Sequence, residues 1–188
     1  IQFLTPAADG RFSRALSVAP GEIFGLIGPD GAGKTSTMRM IGCVSPVTDG
    51  ELRVIGMDPR THASAIKARL GVVLQQDNLD TELTVRENLL MYARYFDMPR
   101  VLARARADEL LEFVQLADRA DSEVEPLSGG MKRRLEIARG FLHTPKILFL
   151  DEPTLGLDPQ SRNQLWTHVK NLNESEKTTV FLTTHYIS

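Results

Sequence analysis

The chain has 188 residues, enough for one domain with a real core, and its 42% hydrophobic and 24% charged residues fall in the ordinary globular range. A net charge of −2 argues against a nucleic-acid partner, whose footprint is normally basic, and the single Cys43 excludes an internal disulfide framework and a multi-cysteine zinc site. No apolar run approaches the roughly 18–20 residues that span a bilayer, and the opening "IQFLTPAADGR" lacks the features of a signal peptide, so any membrane crossing is expected of another chain.

The first strong element is "EIFGLIG", a buried strand that runs into "GPDGAGKTS". Gly28, Pro29, Asp30, Gly31, Ala32, Gly33, Lys34 and Thr35 match G-x-x-x-x-G-K-[ST] between a strand and a helix, with Ser36 following. The glycines permit a wrapped backbone whose N–H groups face phosphates. Lys34 offers a cation to the β- and γ-phosphates, and the Thr35 hydroxyl can ligate Mg²⁺. These residues predict a nucleoside-triphosphate site. "GELRVIG" reads as an antiparallel edge strand, and "LGVVLQ" as a further buried strand.

From about Leu79 to Leu127 the pattern changes and reads as wholly helical. Thr84 and Glu87 form a capping box ahead of a stripe of Val85, Leu89, Tyr92, Ala93 and Phe96. "MPR" interrupts that helix before a second one. We expect a helical insertion, about residues 79–138, in an α/β core of mainly parallel strands with a small antiparallel part. In "EPLSGGMKRRLEIARG", Ser128 is placed to cap a helix whose apolar stripe is Met131, Leu135, Ala138 and Leu142. Bare N–H groups, a hydroxyl, and Gly129 and Gly130 make an anion site there. The basic run Lys132–Arg134 reads as a solvated helix face.

"KILFLDEPTLGLD" places Asp151 and Glu152 at the end of a buried strand. In open parallel sheets ligands bind at that edge. Asp151 suits Mg²⁺, and Glu152 suits a general base that polarises water for attack on the γ-phosphate. "TVFLTTH" is the last strand and ends at His185, while His62, His143 and His168 read as structural or solvated.

With "GPDGAGKT", "LSGGM" and "ILFLDEP" in this order, the chain resembles the nucleotide-binding domain of ABC transporters over nearly its whole length. The resemblance implies a P-loop ATPase fold, with Gly28–Thr35 as Walker A, and Asp151 and Glu152 as the Walker B aspartate and catalytic glutamate. It makes Gln75 the Q-loop residue, a Mg²⁺ and membrane-partner contact, since Gln76 is one step out of register. Leu127, Ser128, Gly129, Gly130 and Met131 become the signature, Asp158 the D-loop residue, and His185 the switch histidine. It further implies ATP and Mg²⁺ as ligands and a head-to-tail dimer, homomeric by expectation, in which each signature helix meets the other chain's ATP. The partner is then an integral-membrane permease, and the location the cytoplasmic face of a bacterial inner or plasma membrane.

The stretch from "QQDNLDTELTVRENLL" through the signature is most similar to exporters paired with ABC-2-type permeases, including those for daunorubicin-type drugs and for lipo-oligosaccharide nodulation factors. Met131 stands where the usual signature has Gln, and Asp30 where the loop commonly has Asn. Phe3 and Phe12 are candidates for the adenine-stacking aromatic. Family members continue beyond His185 through further strands and a helix, so a fragment is expected. Two alternatives are a non-transport ABC ATPase of the repair or translation type and a regulatory module that binds ATP without turnover. Against the first, Lys34 and Ser128 lie fewer than a hundred residues apart, with no coiled coil, second cassette or zinc cysteines. Against the second, Glu152 and His185 are both present.

Overall fold

A computed structural model describes residues 1–6, 12–29, 31–75 and 78–184. In chain order the strands are β1 (Gln2–Pro6), β2 (Phe12–Ser17), β3 (Ile23–Ile27), β4 (Glu51–Arg53), β5 (Leu70–Val73), β6 (Ile147–Asp151) and β7 (Thr179–Thr184). The helices are α1 (Lys34–Ile41), α2 (Pro59–Lys67), α3 (Val85–Tyr95), α4 (Arg100–Phe113), α5 (Gly129–Phe141) and α6 (Pro159–Glu176). The four apolar runs form one parallel sheet in the order β3-β7-β6-β5, and β2-β1-β4 form a separate antiparallel sheet.

The alternation of side chains along a strand divides the core in two. Leu148, Leu150, Val180 and Leu182 face one way and pack with residues of α3 to α6, among them Leu89, Leu110, Leu135 and Leu165. Ile147, Phe149 and Phe181 face the other way and join Ile41 of α1, Ile66 of α2 and Leu52 of β4. Both faces of the sheet are therefore covered, which is why the central strands β6 and β7 are buried along almost their whole length, β6 with the apolar run "ILFL" and β7 with "VFL" between threonines. Helix α5 lies close on β5, because a Cβ on Gly71 would stand 2.3 Å from the Gly140 carbonyl oxygen. No side chain larger than hydrogen fits at that crossing.

The capping box forms as the sequence predicts: the Thr84 hydroxyl accepts from the Glu87 N–H, and the Glu87 carboxylate accepts from the Thr84 N–H. The expectation of helix from Leu79 to Leu127 needs correction. Beyond Phe113 the chain holds only a short 3-10 turn, Ala117–Arg119, and then runs irregularly to Ser128. The reason lies in α3, whose first N–H groups have no intrahelical acceptor. The irregular segment supplies them, since the Val85 N–H donates to the Ser122 carbonyl at 3.0 Å and the Arg86 N–H to the Ala120 carbonyl at 2.8 Å. His168 is buried on α6 and His143 half-buried after α5, and burial pushes both below the usual imidazole range; His62 is exposed.

Candidate functional site

The register of the parallel sheet sets the site. Asp151 lies opposite Thr183 and Ile27 opposite Thr184, so β3, β6 and β7 end at one edge. From that edge the loop after β3 leads directly into α1. Gly33 is the N-cap of α1 at φ 86°, in the left-handed region, and it provides no side-chain cap. A helix N-terminus without a side-chain cap is a favourable place for an anion. Gly31 also has a left-handed backbone, at φ 80°. The Lys34 side chain folds back along this loop, its Nζ donating to the carbonyls of Gly28 at 2.6 Å and Pro29 at 3.0 Å. The Ala32 N–H also donates to the Pro29 carbonyl.

At the end of β6 the two acids are held differently. The Asp151 carboxylate accepts a 2.6 Å hydrogen bond from the Thr183 hydroxyl, which in turn accepts from the Glu152 N–H at 3.2 Å. One hydroxyl on the adjacent strand thereby fixes both residues. Glu152 itself is 8% exposed and has φ 46°. A left-handed conformation in a non-glycine residue costs about 1–3 kcal/mol and persists where the surroundings over-determine it.

Gly31, Gly33, Lys34, Thr35, Ser36, Gln75, Asp151 and Glu152 line one cavity of about 200 Å³. It unites a lysine, a helix N-terminus, two hydroxyls, an amide and two carboxyls. Thr35, Gln75 and Asp151, which line this cavity, carry oxygens of the kind a hard cation takes, and Mg²⁺ needs few protein ligands when phosphate oxygens and water complete its shell. Of the other candidates, Gly28 and Pro29 touch the site through Lys34, while Asp30, Gln76 and His185 and the side chains of Phe3 and Phe12 lie outside the described residues.

The signature residues form a second feature. The Ser128 hydroxyl accepts from the Met131 N–H at 3.2 Å and caps α5. Leu127 is buried and Met131 packs partly against the core. Gly129 borders an adjoining cavity of about 190 Å³, which shares Gln75 and Glu152 with the first. Asp158 caps α6, and the hydrogen bonds from Ser161 hold its carboxyl below the usual carboxylate range.

The two glycines differ in their surroundings. A Cβ on Gly130 would lie 2.6 Å from the Ser161 Oγ and 2.9 Å from its Cβ, while one on Gly129 meets nothing within 4 Å. A rotamer change can move the Oγ away from Gly130, but not the Cβ. Gly130→Ala is therefore expected to be less stable than Gly129→Ala by about 1–3 kcal/mol, the cost of overpacking. Both substitutions add similar helix propensity, so comparing their urea midpoints isolates the contact. Equal midpoints would show that α5 and α6 yield freely here.

Two readings change. Lys132–Arg134 is not a solvated face: Arg133 is 7% exposed, and Arg134 donates to the Val114 carbonyl at 2.9 Å, so only Lys132 of the three lacks such an inward bond among those described. Counting charge along a helix assigns Arg to solvent, whereas its guanidinium can satisfy several buried carbonyls at once. Thr183 was not singled out by sequence; its role follows from the register against Asp151, a relation between strands 32 residues apart.

The chain matches the family described as ABC transporter over residues 13–155 and belongs to it. Nod factor export ATP-binding protein I of Paraburkholderia xenovorans (strain LB400) is 49% identical over 170 residues, covering 90% of this chain and 56% of that protein. The protein of the same name from Rhizobium meliloti (strain 1021) is 49% identical over 172 residues, covering 91% and 51%. The chain thus spans about half the length of the curated relatives it matches. Among solved structures, an ATP-binding cassette described as a dimer in a post-hydrolysis state with ADP and Pi superposes with a TM-score of 0.80 at 28% identity, covering 99% of this chain and 88% of that one. The fold is also that of cbiO1 from Clostridium perfringens, at TM-score 0.87, 23% identity, and coverage of 99% and 78%.

Proposed function

We propose that this chain is the ATP-binding and ATP-hydrolysing part of an ABC exporter subunit that drives a separate membrane permease. The observation that carries the proposal is the meeting of Lys34, Thr35, Asp151 and Glu152 in one cavity. Lys34 and the α1 N-terminus attract the phosphates, Thr35, Asp151 and Gln75 would hold Mg²⁺, and Glu152 takes a proton from the attacking water. Bound Mg²⁺ supplies charge neutralisation on the phosphate oxygens. The names of the relatives support export, and the dimer in the related structure supports pairing of two such chains, a homodimer in this reading, with Ser128 facing the partner's nucleotide and Asp158 at the same junction.

A permease partner fits a second feature. No helix among the described residues is long and apolar enough to cross a membrane. A cavity of about 730 Å³ lies where α2, the α3–α4 junction and Leu142–Thr144 meet, rimmed by Tyr95 and Leu102, which are 76% and 56% exposed. An apolar groove of this kind accommodates a short segment of a membrane subunit, which would place the chain on the cytoplasmic face of the membrane.

Ser128→Arg in the full-length protein tests the arrangement. The substitution blocks the anion site at the start of α5 without touching the Lys34 cavity. Steady-state turnover is expected to fall roughly tenfold or more, the scale of lost positioning, with the ATP affinity of the separated chain unchanged. Undiminished turnover in an assembly with its permease would count against a shared site.

A further inference from the structure

Helix α5 buries three charged side chains on the face that it turns toward the sheet ends. Arg133, Glu136 and Arg139 are 7%, 3% and 8% exposed, and their spacing keeps them on one side of the helix. A buried ion pair adds little stability over apolar residues of similar volume. Its value here lies in where its hydrogen bonds go. Arg133 Nε donates to the Pro153 carbonyl at 3.0 Å and its Nη2 to the Asp151 carbonyl at 3.0 Å, so the guanidinium grips the backbone on both sides of Glu152. Its Nη1 donates to the Leu74 carbonyl, just before Gln75, and to the Glu136 carboxylate at 2.7 Å. Glu136 also accepts from the Asn78 N–H at 3.3 Å, and Arg139 donates to the Asn78 carbonyl at 3.1 Å.

These contacts bind the loop of Glu152 and the segment of Gln75 to the helix that starts at Ser128. The left-handed Glu152 turn needs such restraint, because its φ of 46° is unfavourable for a side-chain-bearing residue. A planar guanidinium can hold several carbonyls in fixed directions, and a lysine ammonium cannot reproduce that fork. We infer that Arg133 is a positioning residue for hydrolysis: it locks the Glu152 turn and the end of β5 to the signature helix. The side chain facing the chain's own nucleotide then moves as one body with the anion site offered to the partner's. This inference deepens the ATPase reading and rests on it.

The test measures turnover and equilibrium ATP binding on the full-length protein. Arg133→Lys keeps the charge and loses the fork. It is expected to lower kcat by roughly 10–100-fold, the scale of an ångström-level misplacement, with ATP Kd and KM within about threefold of the unaltered protein. Because Arg133 acts through Glu152, the same substitution is expected to change residual turnover by less than about threefold in a Glu152→Gln background. Arg133→Met combined with Glu136→Leu removes the buried pair as a unit in favour of apolar side chains. This double variant is expected to melt earlier than the unaltered protein, because the carbonyls of Leu74, Asp151 and Pro153 lose their donor, and to remain slow. Normal kcat in either Arg133 variant, or an equal fold-loss with and without the Glu152 carboxylate, overturns the inference. The comparison across Glu152 backgrounds separates lost positioning from this lost stability. Failure of the ATPase reading looks different: the unaltered protein would itself show no turnover, and the inference falls with it.

Discussion

Glu152→Gln is expected to lower the rate of ATP hydrolysis by about 10²–10⁴-fold, the usual contribution of a positioned general base, with ATP affinity retained. Gln preserves the size of the side chain and removes its basic charge. The backbone of the turn is held through the Glu152 N–H to Thr183 and through the carbonyls of Asp151 and Pro153, none of which involves the Glu152 side chain. The substitution therefore isolates the carboxylate from the geometry. In the dimer reading, two chains joined around ATP separate only after hydrolysis, so the Gln variant should also accumulate as an ATP-bound dimer. Gel filtration with Mg-ATP, run beside a phosphate-release assay on the full-length protein, reads both effects. A variant that hydrolyses at the normal rate would remove Glu152 as the base, whatever its place in the cavity.

How much of this was legible in the sequence depends on how local each signal is. The strands β3, β5, β6 and β7 announce themselves because each is a short apolar run between breakers. The capping box at Thr84 and the Ser128 cap are legible for the same reason, as partners three residues apart. β1 and β2 left no comparable signal: "QFLTP" and "FSRALS" are short and mixed, and they are strands because they pair with each other and with β4. The irregular run after Phe113 was hidden because its backbone is ordered by hydrogen bonds to α3, some 35 residues earlier. Arg133 and Thr183 belong to the same class. Each looks unremarkable beside its sequence neighbours, and each acquires meaning from strand ends brought together by the order β3-β7-β6-β5. The chemistry of a phosphate loop is written in consecutive residues; the restraint that aims a carboxylate at it is written in the topology.

Lys34→Ala is expected to weaken ATP binding by about 2–5 kcal/mol, the cost of truncating one member of a hydrogen-bonded charge pair, or roughly 30- to several-thousand-fold in Kd. Lys34 is 9% exposed, and its ammonium sits against the carbonyls of Gly28 and Pro29, inside the cavity that also holds Thr35 and Asp151. Phosphate oxygens entering that cavity offer it stronger acceptors than two neutral carbonyls. The fold should tolerate the change. Alanine is the best helix former for the first position of α1, the left-handed turn at Gly33 is independent of the lysine, and the freed carbonyls belong to a loop that water can reach from the cavity. The lost energy should be specific to the phosphate chain: ATP and ADP lose affinity together, while AMP, which lacks the β- and γ-phosphates, changes little. Calorimetric titration of the three nucleotides, with a thermal melt as control, separates this from general damage. A parallel loss for all three nucleotides would mean that the lysine shapes the loop instead of holding the β- and γ-phosphates, and unchanged ATP affinity would remove the cavity as the nucleotide site.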